Sequence, residues 1–177
     1  MDEPKPESCE TITIPQPLGL FAGELLRRAD EYADAFERLD VASNQRFLYA
    51  GYYLLSHAVE LTLKAFLATR GVPKADLSAR RLGHDLAALE RAALHHRLPT
   101  VENLDHLLWA LGVMNDGHAL RYPSGYLSQV PNPGECLLVV RELMRSVGPA
   151  VASARISAQL RLAADVRYKG KRVEWSE

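Results

Sequence analysis

Four polar side chains lie at helical spacing inside the most apolar part of the chain. Tyr53, His57, Glu60 and Lys64 follow one another at intervals of four, three and four residues, so on a helix they share one face. A histidine, a carboxylate and an ammonium in one line could form an active site or contact a ligand. Glu60 and Lys64 also have the orientation of an i to i+4 ion pair, worth about 0.2–0.5 kcal/mol on an exposed surface.

The surroundings of this polar line decide what it can do. Burying an unpaired charge costs several kcal/mol, so the line needs either water or polar partners. Three interpretations follow, namely a solvated helix face, the wall of a groove, and an interface between protomers. The sequence does not choose among them.

Polar partners for the line occur later in the chain. The candidates for ligand binding or for a polar network are Tyr53, His57, Glu60, Lys64, His84, Asp85, Asn115, His118, Arg121, Tyr122 and Tyr126. His57 and Glu60, one helical turn apart, could bind a metal ion together with His84, Asp85 and His118. The paired Glu-x-x-His motif of helical metal sites does not occur. We therefore predict no metal.

The apolar pattern predicts the elements that position these residues. Residues 1–16 hold three prolines and no sustained apolar period, so we expect a flexible tail, with a helical domain over 17–164 and a mixed-charge tail over 165–177. Apolar side chains recur every three or four positions along five segments, 18–36, 41–70, 82–93, 101–111 and 137–151. The second segment is apolar on most sides, which is typical of a helix packed all round. The prediction is an all-α, up-and-down bundle of about five helices around one long central helix.

The ends of the helices carry recognisable signals. Thr100 is the predicted N-cap of the fourth helix, and Asn132 followed by Pro133 is typical of the start of the fifth. Gly148–Pro149 is expected to kink or end that last helix. The central helix, at 1.5 Å per residue over 41–70, would be about 45 Å long. Residues 74–81 are interpreted as a polar linker, 117–134 as a long loop, and no strand is predicted.

Composition excludes several classes of protein. The chain has 177 residues, a net charge of −1 and two cysteines, which favours one globular domain without a disulfide framework or a thiolate zinc site. No run of about 18 apolar residues predicts a membrane span, and the acidic N-terminus is unlike a secretory signal, so we expect a cytoplasmic protein without membrane contact. Phosphate-loop, dinucleotide-binding and serine-hydrolase motifs do not occur, and no cofactor is predicted.

The order of several short motifs resembles the HEPN domain (higher eukaryotes and prokaryotes nucleotide-binding). They are His57-x-x-Glu60-Leu61-x-Leu63-Lys64-x-x-Leu67, a glycine at 71, Gly83-His84-Asp85-Leu86-x-x-Leu89 and Arg121-Tyr122-Pro123, and the resemblance covers residues 41–155. It implies a bundle of four or five helices and frequent homodimerisation. It also implies roles in RNA cleavage, in toxin and antitoxin pairs, or in nucleotide binding beside a nucleotidyltransferase partner.

The ribonuclease members of that family carry Arg-x4-6-His at the start of the last bundle helix, and this motif does not occur there. After Arg121 the permitted histidine positions hold Tyr126, Leu127 and Ser128. The expected function is therefore a module that binds a nucleotide, RNA or a protein partner through the polar line and the loop around Arg121, without conventional RNase activity. The alternatives are a metal-independent RNase toxin or a metal-assisted hydrolase using His57, His84 or His118, and an antitoxin-like interaction module.

Overall fold

The computed structural model describes residues 10–79, 82–116 and 130–176, of which 115 and 116 are described by their backbone alone. Six α-helices lie in the described part: α1 Leu18–Arg38, α2 Leu48–Thr69, α3 Lys74–Ser78, α4 Leu86–His95, α5 Leu104–Asp116 and α6 Pro133–Ala164. Two short strands, β1 Thr11–Pro15 and β2 Arg172–Ser176, pair in parallel. The predicted all-α bundle is confirmed. No described helix is both long enough and apolar enough to cross a membrane.

Helix α2 is the centre of the bundle. It contacts α1, α4 and α6, and α1 also packs directly on α6. Its buried side chains cover most of its circumference, among them the fully buried Tyr52, Leu63 and Phe66. A helix packed on this many sides is stabilised mainly by apolar burial, worth about 1.5–3 kcal/mol for each large side chain.

The central helix begins later than the sequence predicted. Residues 40–44 form a turn in which the amides of Ser43 and Asn44 donate to the carbonyl of Asp40, whose φ is 45°. A left-handed residue interrupts an α-helix, so α2 starts at Leu48 after a 3-10 turn at Gln45–Phe47. Its 22 residues make it about 33 Å long instead of about 45 Å.

Other boundary predictions are also wrong in detail. The segment 74–81, predicted to be a linker, contains α3. Helix α5 begins at Leu104 instead of after Thr100, because Asn103 adopts a φ of 60° directly before it. Helix α6 runs through Pro149 to its end at Ala164, so the prediction that Gly148–Pro149 could end the helix is wrong. Pro149 is exposed, and so is Arg145, the residue whose backbone carbonyl loses its amide partner. The predicted Asn132 cap is confirmed, since its side chain accepts from the amides of Gly134 and Glu135.

The two strands correct the prediction that the chain has none. Ile12 and Ile14 pair with Val173 and Trp175, so all four apolar side chains lie on one face of the sheet. The period-2 alternation is only five residues long in each segment, too short to stand out beside prolines and charges.

Helices α1 and α6 are joined by an ion cluster around Arg141. Its guanidinium bonds Asp30 at 2.7 Å, Glu37 at 3.1 Å and also Asp34. The hydrogen bond from Arg141 holds the pKa of Asp34 below its ordinary value. These are partly exposed pairs, so they orient the helices more than they stabilise them.

Candidate functional site

Three elements bring a polar cluster together on one side of the bundle. Helix α2 carries Tyr53, His57, Glu60 and Lys64 along one face, and the segment before α4 carries Gly83 and His84. Helix α1 adds Tyr32, whose ring lies 5.6 Å from that of His57. The spacing of the α2 residues explains why they share a face, and packing of the α4 segment on α2 brings the rest to them.

Glu60 and Lys64 form a buried pair at the base of the cluster. Lys64 Nζ lies 2.7 Å from Glu60 Oε1 and donates a second hydrogen bond, at 2.6 Å, to the carbonyl oxygen of Gly83. The side chains are only 7% and 11% exposed, so the interpretation of this line as a solvated face is wrong for these two residues. Lys64 is committed to internal partners and is not available to a ligand.

Glu60 also orients His84. Its second oxygen, Oε2, lies 3.0 Å from His84 Nδ1. Because this carboxylate already accepts from the Lys64 ammonium, Nδ1 of the imidazole is the donor, and the proton of the neutral ring is on Nδ1. The His84 side chain is 66% exposed. Its Nε2, without a partner among the described residues, is therefore the atom that a ligand can reach.

His57 is oriented by the backbone of its own helix. Its Nδ1 lies 3.0 Å from the carbonyl oxygen of Tyr53, an acceptor, so here too Nδ1 carries the proton. The rings of two tyrosines lie near the His57 ring, Tyr53 at 4.2 Å and Tyr32 at 5.6 Å. The ring of His84 lies 6.5 Å away. His57 Nε2 makes no hydrogen bond to the described part of the chain. The two histidines thus have the same tautomer and neighbouring rings.

This arrangement suits hydrogen bonding and proton transfer. Each Nε2 accepts a hydrogen bond when its imidazole is neutral and donates one when the ring is protonated. Within the described residues no three His, Cys, Asp or Glu side chains are grouped so that they could hold a metal ion. With Glu60 and Lys64 paired to each other, the two imidazoles are the titratable groups of the α2–α4 contact that remain for a ligand.

An open groove of about 750 Å³ adjoins His84 between α4 and α5. Three carboxylates line it, those of Asp85, Glu90 and Asp105, together with the exposed indole of Trp109. Burial, with the nearby charge of Asp105, raises the pKa of Glu90. The groove is therefore electronegative, and because His84 also lines it, these carboxylates oppose a phosphate bound at His84.

The predicted site residues fall into three groups. The structure brings Tyr53, His57, Glu60, Lys64 and His84 together. Asp85 instead caps α4, accepting from the amide of Ala88 at 2.9 Å. The side chain of Asn115 and the residues His118, Arg121, Tyr122 and Tyr126 lie outside the described part of the structure.

Sequence reasoning missed two members of the cluster. Tyr32 is half-buried on α1, inside an apolar period, and its ring is tilted against that of His57. The Gly83 carbonyl has no side chain to signal its role. An aromatic residue with a polar tip, at the border of an apolar stripe, was the available signal for Tyr32.

Comparison with known proteins identifies no relative. No protein-family model, curated protein or solved structure matches the chain.

Proposed function

We propose that this chain is a HEPN-like helical module that binds the phosphate of a nucleotide or of RNA through His57 and His84, together with Arg121. One observation carries the proposal: an exposed imidazole, fixed by a buried carboxylate, presents its Nε2 next to a second imidazole 6.5 Å away. The family resemblance of the motifs around these histidines supports it. No cofactor is required.

The ring separation suits one phosphate group. Two hydrogen bonds of about 2.8 Å to different oxygens of one phosphate allow nitrogen atoms about 5–8 Å apart. A protonated imidazole donates such a bond with charge assistance. The carboxylates of the α4–α5 groove oppose phosphate, which makes contacts from the histidines and Arg121 necessary.

The binding test uses a short fluorescent single-stranded RNA and measures its anisotropy at several salt concentrations. His57→Gln and His84→Gln should each weaken binding at least about tenfold, since a charge-assisted hydrogen bond contributes about 1.5–3 kcal/mol. Arg121→Ala should weaken binding and reduce its salt dependence. His95→Gln, an exposed histidine near the end of α4, is the matched control. Unchanged affinity in both cluster variants would remove the proposed site.

A second candidate function is RNA cleavage without a metal. It is favoured by the same pair of imidazoles, since one neutral and one protonated ring can serve as general base and general acid. RNA incubated with the protein should then be cleaved equally with and without chelator, and His57→Gln or His84→Gln should abolish cleavage. If chelator abolishes cleavage, the result would instead support a metal-assisted hydrolase. If the RNA stays intact both with and without chelator, the protein is a binding module without RNase activity.

Protein partners form the last part of the proposal. Homodimerisation, or an antitoxin-like contact with a nucleotidyltransferase or toxin, requires an exposed apolar surface. Such side chains exist on α5 and α6, where Trp109 and Leu138 are each 70% exposed and together line one groove. Light scattering after gel filtration should give twice the chain mass, and Trp109→Ser should shift it toward the monomer. A monomeric mass at micromolar concentration contradicts the homodimer.

A further inference from the structure

A second groove, remote from the two histidines, lies where three helices end. It has a volume of about 730 Å³ and is bordered by the start of α1, the end of α2 and the C-terminal half of α6. Its floor consists of small side chains of α6, among them Ala150, Ala154 and Ala158. Volumes of roughly 300–1,000 Å³ are typical of sites for small organic ligands.

Two arginines without carboxylate partners line this groove. Arg70 follows α2 and Arg161 lies in the last turns of α6, and neither forms an ion pair with a described residue. The guanidinium of Arg70 lies 4.8 Å from the centre of the Phe66 ring, which limits its orientation. Asp165 also lines the groove, but its carboxylate is bonded to Arg167. The two arginine charges are therefore left for another partner.

Neutral donors accompany these charges. Ser153 and Ser157 line the groove one turn apart on α6, and neither hydroxyl bonds a described residue. The amides of Leu18 and Gly19, in the first turn of α1, likewise have no acceptor, because Pro17 provides no side-chain cap. Guanidinium, hydroxyl and first-turn amide groups all donate to oxyanions.

The helix ends do not cancel the arginine charges. Each helix end corresponds to about half an elementary charge, positive at the start of α1 and negative at the ends of α2 and α6. The carbonyls at the end of α2 are partly satisfied, since Leu67 and Ala68 accept from the amides of Arg70, Gly71 and Val72. With Asp165 matched by Arg167, the groove keeps a net positive charge of about 1.5.

We propose that this groove binds an organic phosphate, with the phosphate held by Arg70, Arg161 and the serine hydroxyls and the organic part packed on the alanines of α6. The alanines of α6 leave apolar surface beside the arginines, which is why the ligand has an organic part. The acidic groove between α4 and α5 is of similar size and opposite sign, and it does not suit such a ligand. This site goes beyond the proposed function, since none of its residues belongs to the histidine cluster.

The test is an amide NMR titration of the full chain with phenyl phosphate. Saturable shifts are expected at Gly19, Ser153 and Ser157. Arg70→Gln and Arg161→Gln should each weaken the affinity about tenfold, as expected for loss of a charge-assisted hydrogen bond. Ser153→Trp, at an exposed helix position, should block the groove and abolish the shifts while both arginines remain. Binding at the histidine cluster would be read separately, because amide shifts report position.

Arg91→Gln is the control, since Arg91 is exposed on α4 and does not line the groove. This variant should leave the affinity within about twofold, a much smaller change than loss of a charge-assisted hydrogen bond would cause. Phenol and inorganic phosphate should each bind far more weakly than phenyl phosphate. Three results would overturn the proposal: no saturable shift in the groove, shifts that survive both groove arginine variants, or equal binding of phenyl phosphate and either of its two halves.

Discussion

Glu60 is the residue on which the histidine site depends. One carboxylate oxygen meets Lys64 and the other meets His84, so a single buried group neutralises a buried cation and orients an exposed imidazole. The pairing of Glu60 with Lys64 could be predicted, because a four-residue spacing on one helix fixes the distance. The contact with His84 could not, since it depends on how the chain between α2 and α4 folds back.

The buried pair predicts strongly coupled effects on stability. Glu60→Leu should leave the Lys64 ammonium buried without a carboxylate, and Lys64→Met should leave Glu60 without its cation. Each single change should lower the free energy of unfolding by about 3–5 kcal/mol, whereas the double variant should lose clearly less than either. Urea unfolding of the four proteins measures this. Additive losses would show that the two side chains do not stabilise each other.

At the scale of elements, close packing of α1 on α6 holds the bundle closed. A Cβ added at Gly19 would lie 2.2 Å from the carbonyl oxygen of Ala154, so at this point only a glycine fits between the helices. The apolar periods predicted the helices, but they did not predict where several begin. Asp40 and Asn103 adopt a positive φ that no apolar period encodes, and Pro149 sits in a helix because it faces water.

The close approach predicts opposite effects of the same substitution at two glycines. Gly19→Ala should push backbone against backbone and destabilise the fold by about 1–3 kcal/mol. Gly112→Ala in α5, where an added Cβ meets nothing within 4 Å, should stabilise it by about 0.5–1 kcal/mol. Thermal unfolding of both variants beside the parent measures the difference. A Gly19→Ala protein as stable as the parent would mean that α1 and α6 do not pack this closely.

At the scale of the whole molecule, the strands join the two ends of the described chain outside the helical core. They contact each other far more than they contact any helix, and Ile12, Ile14 and Val173 are only half-buried. A two-stranded sheet is marginally stable by itself, so the bundle does not depend on it. The architecture was therefore predictable from the helices alone, while the strand pairing needed a contact across almost the whole sequence.

Removal of residues 172–177 should therefore abolish the two-stranded sheet and leave the helical bundle folded. The amides of Ile12 and Ile14 should lose their protection against hydrogen exchange, while the thermal midpoint falls by less than about 4 °C, equivalent to roughly 1 kcal/mol for a chain of this size. Hydrogen exchange read by NMR, with calorimetry beside it, provides both numbers. Cooperative loss of the helices would show that the sheet is part of the core.

The central claim is that His57 and His84 together contact one phosphate group. It is tested most directly by following the imidazole resonances of the full chain during titration with adenosine monophosphate, with assignments from single His→Gln variants. The account predicts that the His57 and His84 signals move together with one dissociation constant, while those of His95, His96 and His106 stay in place. If neither cluster signal moves at saturating ligand, or if all five move alike, the account is contradicted.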